Sequence, residues 1–563
     1  MKLSRLITLA GVGLASGAAV MTSSACTETK TETVTVTETL PRFNAPKDTV
    51  NGFLGYYTVA NKATQCGQCH AGQQAAWVTT KHAVAWTDLQ SSGHAASYCT
   101  GCHSVSQLGN SLADSVPGGY TKVADSTYFD VQCESCHGPG SAPGNSHAAA
   151  PGISNRPLAR LMVPSDTVTA VTSGTCAACH QGTHEPYTQE WTQSAHATVQ
   201  APAIGNASCM GCHEGRNTLK AWNINTNYVE ANDVVTTANA MPVTCGICHD
   251  PHSTANTGQL RWGIDQGDPT QNLCMKCHLR GQTPTDNGRG PHAPQGAVLL
   301  GSAGWWPTAV DTITATHGNV AINTRLCAGC HVNRVTVTDT AGGFVFQSVG
   351  HLFSPDACLD ASGKPTAANC ARPGDAGYVS GSRYFLGCQA AGCHNSATQA
   401  EQAMTSQRAV VAALADALWK DNNGNTTLFT TASTSLTGGC KAAGTATSIT
   451  AFKAFDPGDT GLLTELSAAQ ADTAFCTGDG LVSVAEGVFF NVRMVGENRY
   501  GGHADGSYGV HNPLLIQQLL ATSVTAMQNR YGVFAPPAIQ QIVAQVNQKV
   551  AAFKASQGKV SAR

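Results

Sequence analysis

The sequence predicts a chain built mostly from loops and short α-helices, with little β-structure and a helical C-terminal region. Charged residues make up only 12% of its 563 residues and aromatic residues only 6%, whereas glycine is abundant at 58. The chain also carries 23 Cys and 20 His. Such a composition supplies few large apolar side chains for several independent cores. Bound groups are therefore expected to fill much of the interior.

The formal net charge of -3 argues against nucleic acid as a partner, because no basic excess exists to neutralise phosphates. At the N-terminus, Lys2 and Arg5 precede an apolar run over residues 6–20, and small residues lead to Cys26. This layout predicts an export signal over residues 1–25. Two interpretations of Cys26 stay open: a lipid-anchored first residue, or ordinary cleavage, since Ser23 stands where lipoprotein signals usually carry Leu. Residues 26–52 are predicted to form a Thr-rich tether.

The main signal is a repeated motif, Cys-x-x-Cys-His, which occurs eight times. Composition alone would produce about 0.03 occurrences. A ninth motif has four residues between its cysteines. We number the motifs 1 to 9 in chain order. Their cysteines are Cys66, Cys69, Cys99, Cys102, Cys133, Cys136, Cys176, Cys179, Cys209, Cys212, Cys245, Cys248, Cys274, Cys277, Cys327, Cys330, Cys388 and Cys393, and their histidines are His70, His103, His137, His180, His213, His249, His278, His331 and His394.

This spacing is typical of covalent haem attachment. Cysteines three apart lie on the same side of one helical turn, where both thiols can reach the vinyl groups on one porphyrin edge. The following His then binds the iron from one face. Zinc sites would need paired motifs without a His after every second Cys, and thioredoxin-like pairs occur once per domain. The sequence therefore predicts nine covalently bound haem c groups. At the ninth motif, the longer stretch between the two cysteines would have to loop out so that both thiols can reach the porphyrin.

Five cysteines lie outside the motifs: Cys26 and four in the C-terminal region. In an exported chain, four leftover cysteines indicate two disulfides. Nearest neighbours would be Cys358–Cys370 and Cys440–Cys476, although three pairings are open from sequence alone.

A second His on each iron would have to come from the 11 His outside the motifs. An internal repeat narrows the choice, because motifs 1, 2 and 3 recur as motifs 4, 5 and 6 at offsets of 110, 110 and 112 positions. Trp77 and His82 likewise match Trp191 and His196. His94 and His184 have no counterpart and are predicted to be spare. The predicted second ligands are His82, His147, His196, His252, His292, His317, His351, His503 and His511, with His147 and His252 as another matched pair.

This organisation predicts a three-haem unit A over residues 53–160, its repeat, unit B, over 161–260, and a two-haem region over 261–355. Residues 356–563 would carry the ninth haem, two disulfides and the clearest helices. Periodic apolar residues predict helices over 399–420, 514–527 and 538–553, the last after two prolines.

Several segments resemble the tetrahaem and octahaem c-type cytochromes related to hydroxylamine oxidoreductase. The similar segments include Cys-Gly-Gln-Cys-His with its following Trp and Lys-His-Ala, Val-Gln-Cys-Glu-Ser-Cys-His-Gly-Pro-Gly, Cys-Gly-Ile-Cys-His-Asp-Pro-His and Leu-Cys-Met-Lys-Cys-His. Near the end, Asp-Gly-Ser-Tyr-Gly-Val-His-Asn-Pro looks like a C-terminal motif of such proteins whose His binds iron, which implies that role for His511. The resemblance covers residues 60–515 and implies a multihaem cytochrome.

Three functions fit the sequence, with electron transfer favoured over enzymatic chemistry. The first is a conduit of bis-His haems, exported and held at the cell surface, on the periplasmic side or outside the cell, with redox proteins or an extracellular acceptor as partners. The second is a subunit of an extracellular cytochrome filament formed by self-association. The third is a reductase of nitrogen or sulfur oxyanions, for which no Cys-x-x-Cys-Lys motif is present.

Overall fold

The computed structural model describes residues 43–149, 155–161, 175–224, 227–286, 290–307, 313–314, 316–429, 454–476, 480–495 and 504–560. These residues belong to one unit of the chain, 43–563. The predicted signal, Cys26, Cys440 and His503 lie outside the described residues. None of the helices in the described ranges is long and apolar enough to cross a membrane.

The described residues are mostly loops and short helices, which confirms the predicted fold class. The helices are α1 (Ala71–Trp77), α2 (Ala85–Ser91), α3 (Tyr120–Val123), α4 (Cys133–His137), α5 (Tyr187–Thr192), α6 (Ala207–His213), α7 (Gly215–Ala221), α8 (Cys245–Cys248), α9 (Gln295–Leu300), α10 (Cys327–His331), α11 (Ala397–Leu418), α12 (Ala468–Ala474), α13 (Val484–Val495), α14 (Pro513–Tyr531) and α15 (Pro537–Val560). Single turns of 3₁₀-helix include Cys66–Gln68, Ser97–Cys99 and Cys274–Lys276.

In the described ranges, the strands form antiparallel pairs, β1–β2, β3–β4, β5–β6 and β7–β8. Their bounds are β1 (Tyr56–Thr58), β2 (Ala63–Thr64), β3 (Ser141–Ala142), β4 (Asn145–Ser146), β5 (Val335–Thr338), β6 (Phe344–Ser348), β7 (Cys358–Leu359) and β8 (Pro365–Thr366). The longest hairpin, β5–β6, begins its pairing with Val335 opposite Ser348. Cys358, at the start of β7, is disulfide-bonded to Cys370, as predicted. Cys476 is also disulfide-bonded.

The C-terminal helices form the one large apolar core of the described residues. Helix α14 contacts α11, α13 and α15. Its N-cap Asn512 accepts a hydrogen bond from the Leu515 amide, Pro513 occupies the first turn, and Gly532 ends the helix with a φ of 71°. The predicted helices over 399–420, 514–527 and 538–553 are thus confirmed as α11, α14 and α15. Helix α13 was not predicted.

The rest of the chain packs around the haem-attachment motifs. Trp77 and Trp191, which were matched by the internal repeat, each donate an indole hydrogen bond of 2.9 Å, to the carbonyls of Val131 and Val243. The amides of Val131 and Val243 in turn donate to the His82 and His196 carbonyls, both at 3.1 Å. The segments that precede motifs 3 and 6 are therefore held to their Trp-His segments by the same two bonds.

Residues 43–52, expected to belong to the tether, pack against folded structure. Asp48 is 1% exposed, and its amide donates to the Tyr128 hydroxyl at 2.7 Å. Its carboxylate accepts hydrogen bonds from the Gly119 amide and the Asn51 side chain. These buried contacts place Asp48 inside the fold. The folded region therefore begins before residue 53, where the sequence predicted that the tether ends and unit A begins.

Candidate haem sites

Each attachment motif folds into one tight turn that presents its two thiols together. In motifs 1, 2, 4, 6 and 7 the amide of the motif His donates to the carbonyl of the first Cys, at 2.9–3.3 Å. Motifs 3, 5 and 8 lie in α4, α6 and α10. In motif 9 the His394 amide donates to the Cys388 carbonyl at 3.3 Å despite the two extra residues. The longer insertion therefore closes the same kind of turn, as the sequence predicted.

Eight of the nine motif histidines face a second imidazole at a nearly constant separation. The ring centres of each pair lie 6.0–6.3 Å apart, too far for contact between the rings. The pairs are His70–His147, His137–His252, His180–His82, His213–His292, His249–His351, His278–His196, His331–His511 and His394–His317.

This separation fits an iron atom between the two rings. Two metal–nitrogen bonds of roughly 2 Å, plus the distance from each ring nitrogen to its ring centre, add up to about 6 Å. The residues at eight motifs therefore fit a haem with two axial His. Of the nine predicted second ligands, eight occupy such positions and His503 is not described.

The pairs join distant segments, and the repeat explains part of the pattern. His82 and His196, the matched pair, each face the first motif of the following unit, motifs 4 and 7. His147 faces motif 1 of its own unit, whereas His252 faces motif 3 of the preceding unit. His147 and His252 therefore do not have matched roles, because no attachment motif among the described residues precedes motif 1 to receive His147.

Hydrogen bonds orient many of these rings. The Nδ1–H groups of His137, His249, His317 and His331 donate to backbone carbonyls at 2.6–3.0 Å. With Nδ1 carrying the proton, Nε2 keeps a lone pair for a metal, as second-shell bonds to ligand histidines usually ensure. The sequence could not show these partners, because a backbone carbonyl carries no side-chain signal and the acceptors lie 9 to 193 positions from their histidines.

Burial keeps the ring nitrogens unprotonated. It lowers the pKa of His82, His196, His331 and His351 to about 4. A metal ligand must be deprotonated, so at neutral pH these rings are ready to bind without losing a proton. His511 differs: burial alone would lower its pKa, but the adjacent Asp505 carboxylate outweighs burial and raises the pKa.

One cavity connects nearly all the sites. Its volume is 3110 Å³, against roughly 300–1,000 Å³ for an ordinary ligand pocket. Cysteines of motifs 2 to 9, both imidazoles of seven pairs, and His103 line it. The size and lining of this cavity fit several flat macrocycles in succession rather than one small ligand.

Among the described residues, Asp505 makes the shortest carboxylate contact with a paired imidazole. Its Oδ1 accepts from His511 Nδ1–H at 2.6 Å, and its side chain is fully buried. Asp505→Asn keeps the shape but removes the charge that favours ferric iron. We expect the potential of site 8 to rise by about 60–120 mV, the equivalent of a 10–100-fold effect. A redox titration that shows no haem shifted relative to the parent protein would contradict this.

Comparisons with known proteins agree with this site. The family profile "Cytochrome c554 and c-prime" matches residues 65–138, and the profile "Doubled CXXCH motif" matches residues 238–283. The solved structure titled "Crystal Structure of Outer Cell Wall Cytochrome OcwA" is similar, with 16% identity, a TM-score of 0.38 and 78% of each chain covered. No curated protein matches the chain. The motifs, the imidazoles that face them and the two profiles show that the chain is a multihaem c-type cytochrome.

Proposed function

We propose that the chain conducts electrons through nine haem sites arranged as one line with two side branches. Haem iron, when bound, supplies reversible one-electron chemistry, and two imidazole ligands favour a low potential. The observation that carries the proposal is the set of contacts between cysteines of different motifs. These contacts define which attachment sites are neighbours.

Five pairs of cysteines from different motifs lie close enough together for their side chains to interact. First cysteines meet in the pairs Cys66–Cys133, Cys176–Cys245 and Cys274–Cys327, which join sites 1 and 3, 4 and 6, and 7 and 8. Second cysteines meet in the pairs Cys102–Cys179 and Cys212–Cys277, which join sites 2 and 4, and 5 and 7. The contacts of the first repeated unit recur in the second, which supports the proposed duplication.

Weaker electrostatic contacts link these pairs into a series. Cys136 interacts with Cys176, Cys248 with Cys274, and Cys330 with Cys393. The resulting order is 1–3–4–6–7–8–9, with site 2 attached to site 4 and site 5 attached to site 7. Sites 4 and 7 are thus branch points.

The described residues also support the shielding of the proposed line of haem sites from water. Attachment cysteines are half-buried almost throughout, and buried carboxylates hold the surrounding loops. Glu134, for example, accepts hydrogen bonds from the amides of Leu54, Gly55 and Gly140 at 2.7–2.9 Å. Rigid, water-excluding loops reduce the reorganisation that accompanies each change in iron charge, as in other preorganised sites.

Removal of one site from the line tests the proposal. The double variant Cys176→Ala/Cys179→Ala removes attachment at site 4 and interrupts the line. We expect current through an oriented protein monolayer between electrodes to fall by orders of magnitude. The matched control, Cys209→Ala/Cys212→Ala, removes side site 5 and is expected to change the current by less than about tenfold, or about 1.4 kcal/mol in barrier.

Both variants must retain eight haems by mass and an unchanged far-ultraviolet circular dichroism spectrum. Equal loss of current in the two variants would refute the branched order. Unchanged current in both would refute conduction along the chain.

The location and partners belong to the same proposal. Export through the predicted signal, with or without a lipid on Cys26, would place the chain outside the cytoplasm, where covalent haem attachment and disulfides are compatible with the compartment. Donors and acceptors of electrons would then approach the two ends of the line, near sites 1 and 9.

A further inference from the structure

Tyr228 is a buried tyrosine of unit B whose hydroxyl has no hydrogen-bond partner among the described residues. It lies in the segment between motifs 5 and 6 and is 7% exposed. A buried hydroxyl without a partner destabilises a folded protein, because it has given up its hydrogen bonds to water and gained none in return. Such a group in a native structure needs a reason to be there.

Packing holds the Tyr228 ring in place. The ring belongs to an apolar cluster that includes Leu219 and Ile247, the latter within motif 6. The backbone beside it is also fixed, because the Val229 amide donates to the Ala159 carbonyl at 3.2 Å. These contacts restrict rotation of the side chain toward solvent, so the hydroxyl keeps its buried position.

The nearest carboxylate does not accept from this hydroxyl. Glu214 acts on Tyr228 electrostatically, but its oxygens already accept from Arg216 Nε at 2.8 Å, from the Asn217 amide at 2.9 Å and from the Met241 amide at 3.0 Å. Burial, followed by this carboxylate, raises the pKa of Tyr228 to about 12. The hydroxyl therefore keeps its proton at neutral pH and remains a donor that lacks an acceptor.

Tyr228 faces the space that haem would fill. It lines the large cavity together with the cysteines of motifs 5 and 6, which flank it in the sequence. Haem carries its polar groups at one edge of the macrocycle, as propionate carboxylates. An ionised carboxylate accepts strong hydrogen bonds from hydroxyl donors. The residues present at this part of the cavity therefore fit a haem that brings the missing acceptor with it.

We propose that the Tyr228 hydroxyl donates a hydrogen bond to a propionate of the haem at site 5 or site 6, and so positions that haem and raises its potential. The bond disperses the negative charge of the carboxylate, which makes the addition of an electron to the nearby iron easier. Tyr228 is thus a positioning residue that acts on one haem. The proposal goes beyond conduction, and it depends on haem attachment in unit B but not on the order of the line.

Tyr228→Phe in the holoprotein tests the proposal, because it removes the hydroxyl and keeps the ring. We expect the resonance Raman propionate band of one haem to shift. The potential of that haem should fall by about 30–60 mV, a threefold to tenfold change in its reduction equilibrium at about 59 mV per tenfold. The midpoint of unfolding in guanidinium chloride should also fall. The control, Tyr98→Phe at a position that is 85% exposed, should change none of these, and both variants should hold nine haems by mass.

The opposite results would overturn the proposal. If the hydroxyl is unbonded in the holoprotein, Tyr228→Phe will raise the midpoint of unfolding and leave the Raman band and the potentials unchanged. A lower midpoint with unchanged band and potentials would assign the bond to a buried water instead. The shift should disappear in one of two backgrounds, Cys209→Ala/Cys212→Ala or Cys245→Ala/Cys248→Ala, and its persistence in both would place the propionate on another haem. Failure of conduction along the line would leave all these readouts unchanged.

Discussion

A haem-free chain is expected to lose its fold over residues 43–350 while residues 397–560 remain helical. The reason lies in the distribution of buried apolar side chains. A cluster of 33 buried residues joins α11, α12, α13, α14 and α15 with parts of 297–313. Among the described residues before 261, the largest cluster has five residues, among them Leu219, Met241 and Ile247. So few side chains cannot offset the conformational entropy of about 200 residues.

This outcome refines the expectation from the sequence that haem takes the place of a core, which predicts an apoprotein that is largely unfolded. The measurement is limited proteolysis with mass mapping, together with circular dichroism, on chain produced without cytochrome maturation. Protected fragments should map to residues 397–560. Leu519→Ala, at a fully buried position in α14, should weaken that protection by about 2–5 kcal/mol, whereas exposed Phe534→Ala should not. Protected fragments from residues 43–260 would contradict the expected dependence on haem.

Local features of the sequence predicted much of the attachment chemistry. Spacing alone identified every motif turn, including the ninth, because two thiols and a His within one turn are a local requirement. Three of the C-terminal helices were predicted for the same reason, since apolar periodicity and flanking prolines are local signals. Helix α13 was not predicted because Val484–Val495 is short and contains a glycine and four valines, residues of low helix propensity.

Pairing across the sites could not be predicted from local signals. His331 and His511 are far apart in the chain and face each other only in the folded protein. Neither segment carries a local signal that identifies the other as its partner. The repeat predicted the equivalence of His82 and His196, which depends on two similar local environments. It did not predict the different roles of His147 and His252, which depend on where each unit lies in the series.

Glu190 was also missed, although it places a histidine of the line. This residue of α5 is 2% exposed. Its Oε1 accepts from the Ser348 hydroxyl and the Val349 amide, at 2.7 and 3.0 Å, and its Oε2 accepts from the His351 amide at 2.7 Å. The sequence shows a Glu one residue before a Trp that the internal repeat matches. It does not show which residues this Glu would bond to. Its partners lie on the loop that carries His351 opposite His249.

Glu190→Ala is expected to open site 6. Three buried donors would lose their acceptor, each at a cost of about 1–3 kcal/mol, and the loop that holds His351 would relax toward water. We expect electron paramagnetic resonance to show one more high-spin ferric haem than in the parent protein. Because site 6 lies on the proposed line, we also expect a fall in current of the kind expected without site 4. Glu190→Gln retains one acceptor oxygen and should show a smaller high-spin fraction.

The control for this variant lies on the same helix. Gln193 is the exposed C-cap residue of α5, and its side chain donates one hydrogen bond, to the Gln189 carbonyl, so Gln193→Ala should leave both spectrum and current unchanged. A spectrum in which Glu190→Ala contains no more high-spin iron than the parent protein would show that the iron bond alone suffices to hold His351. That result would assign the carboxylate to folding of the loop rather than to placement of the ligand. Loss of haem from site 6, in contrast, would mean that the loop is needed before attachment, which mass spectrometry separates from loss of ligation because the haem is bound through Cys245 and Cys248.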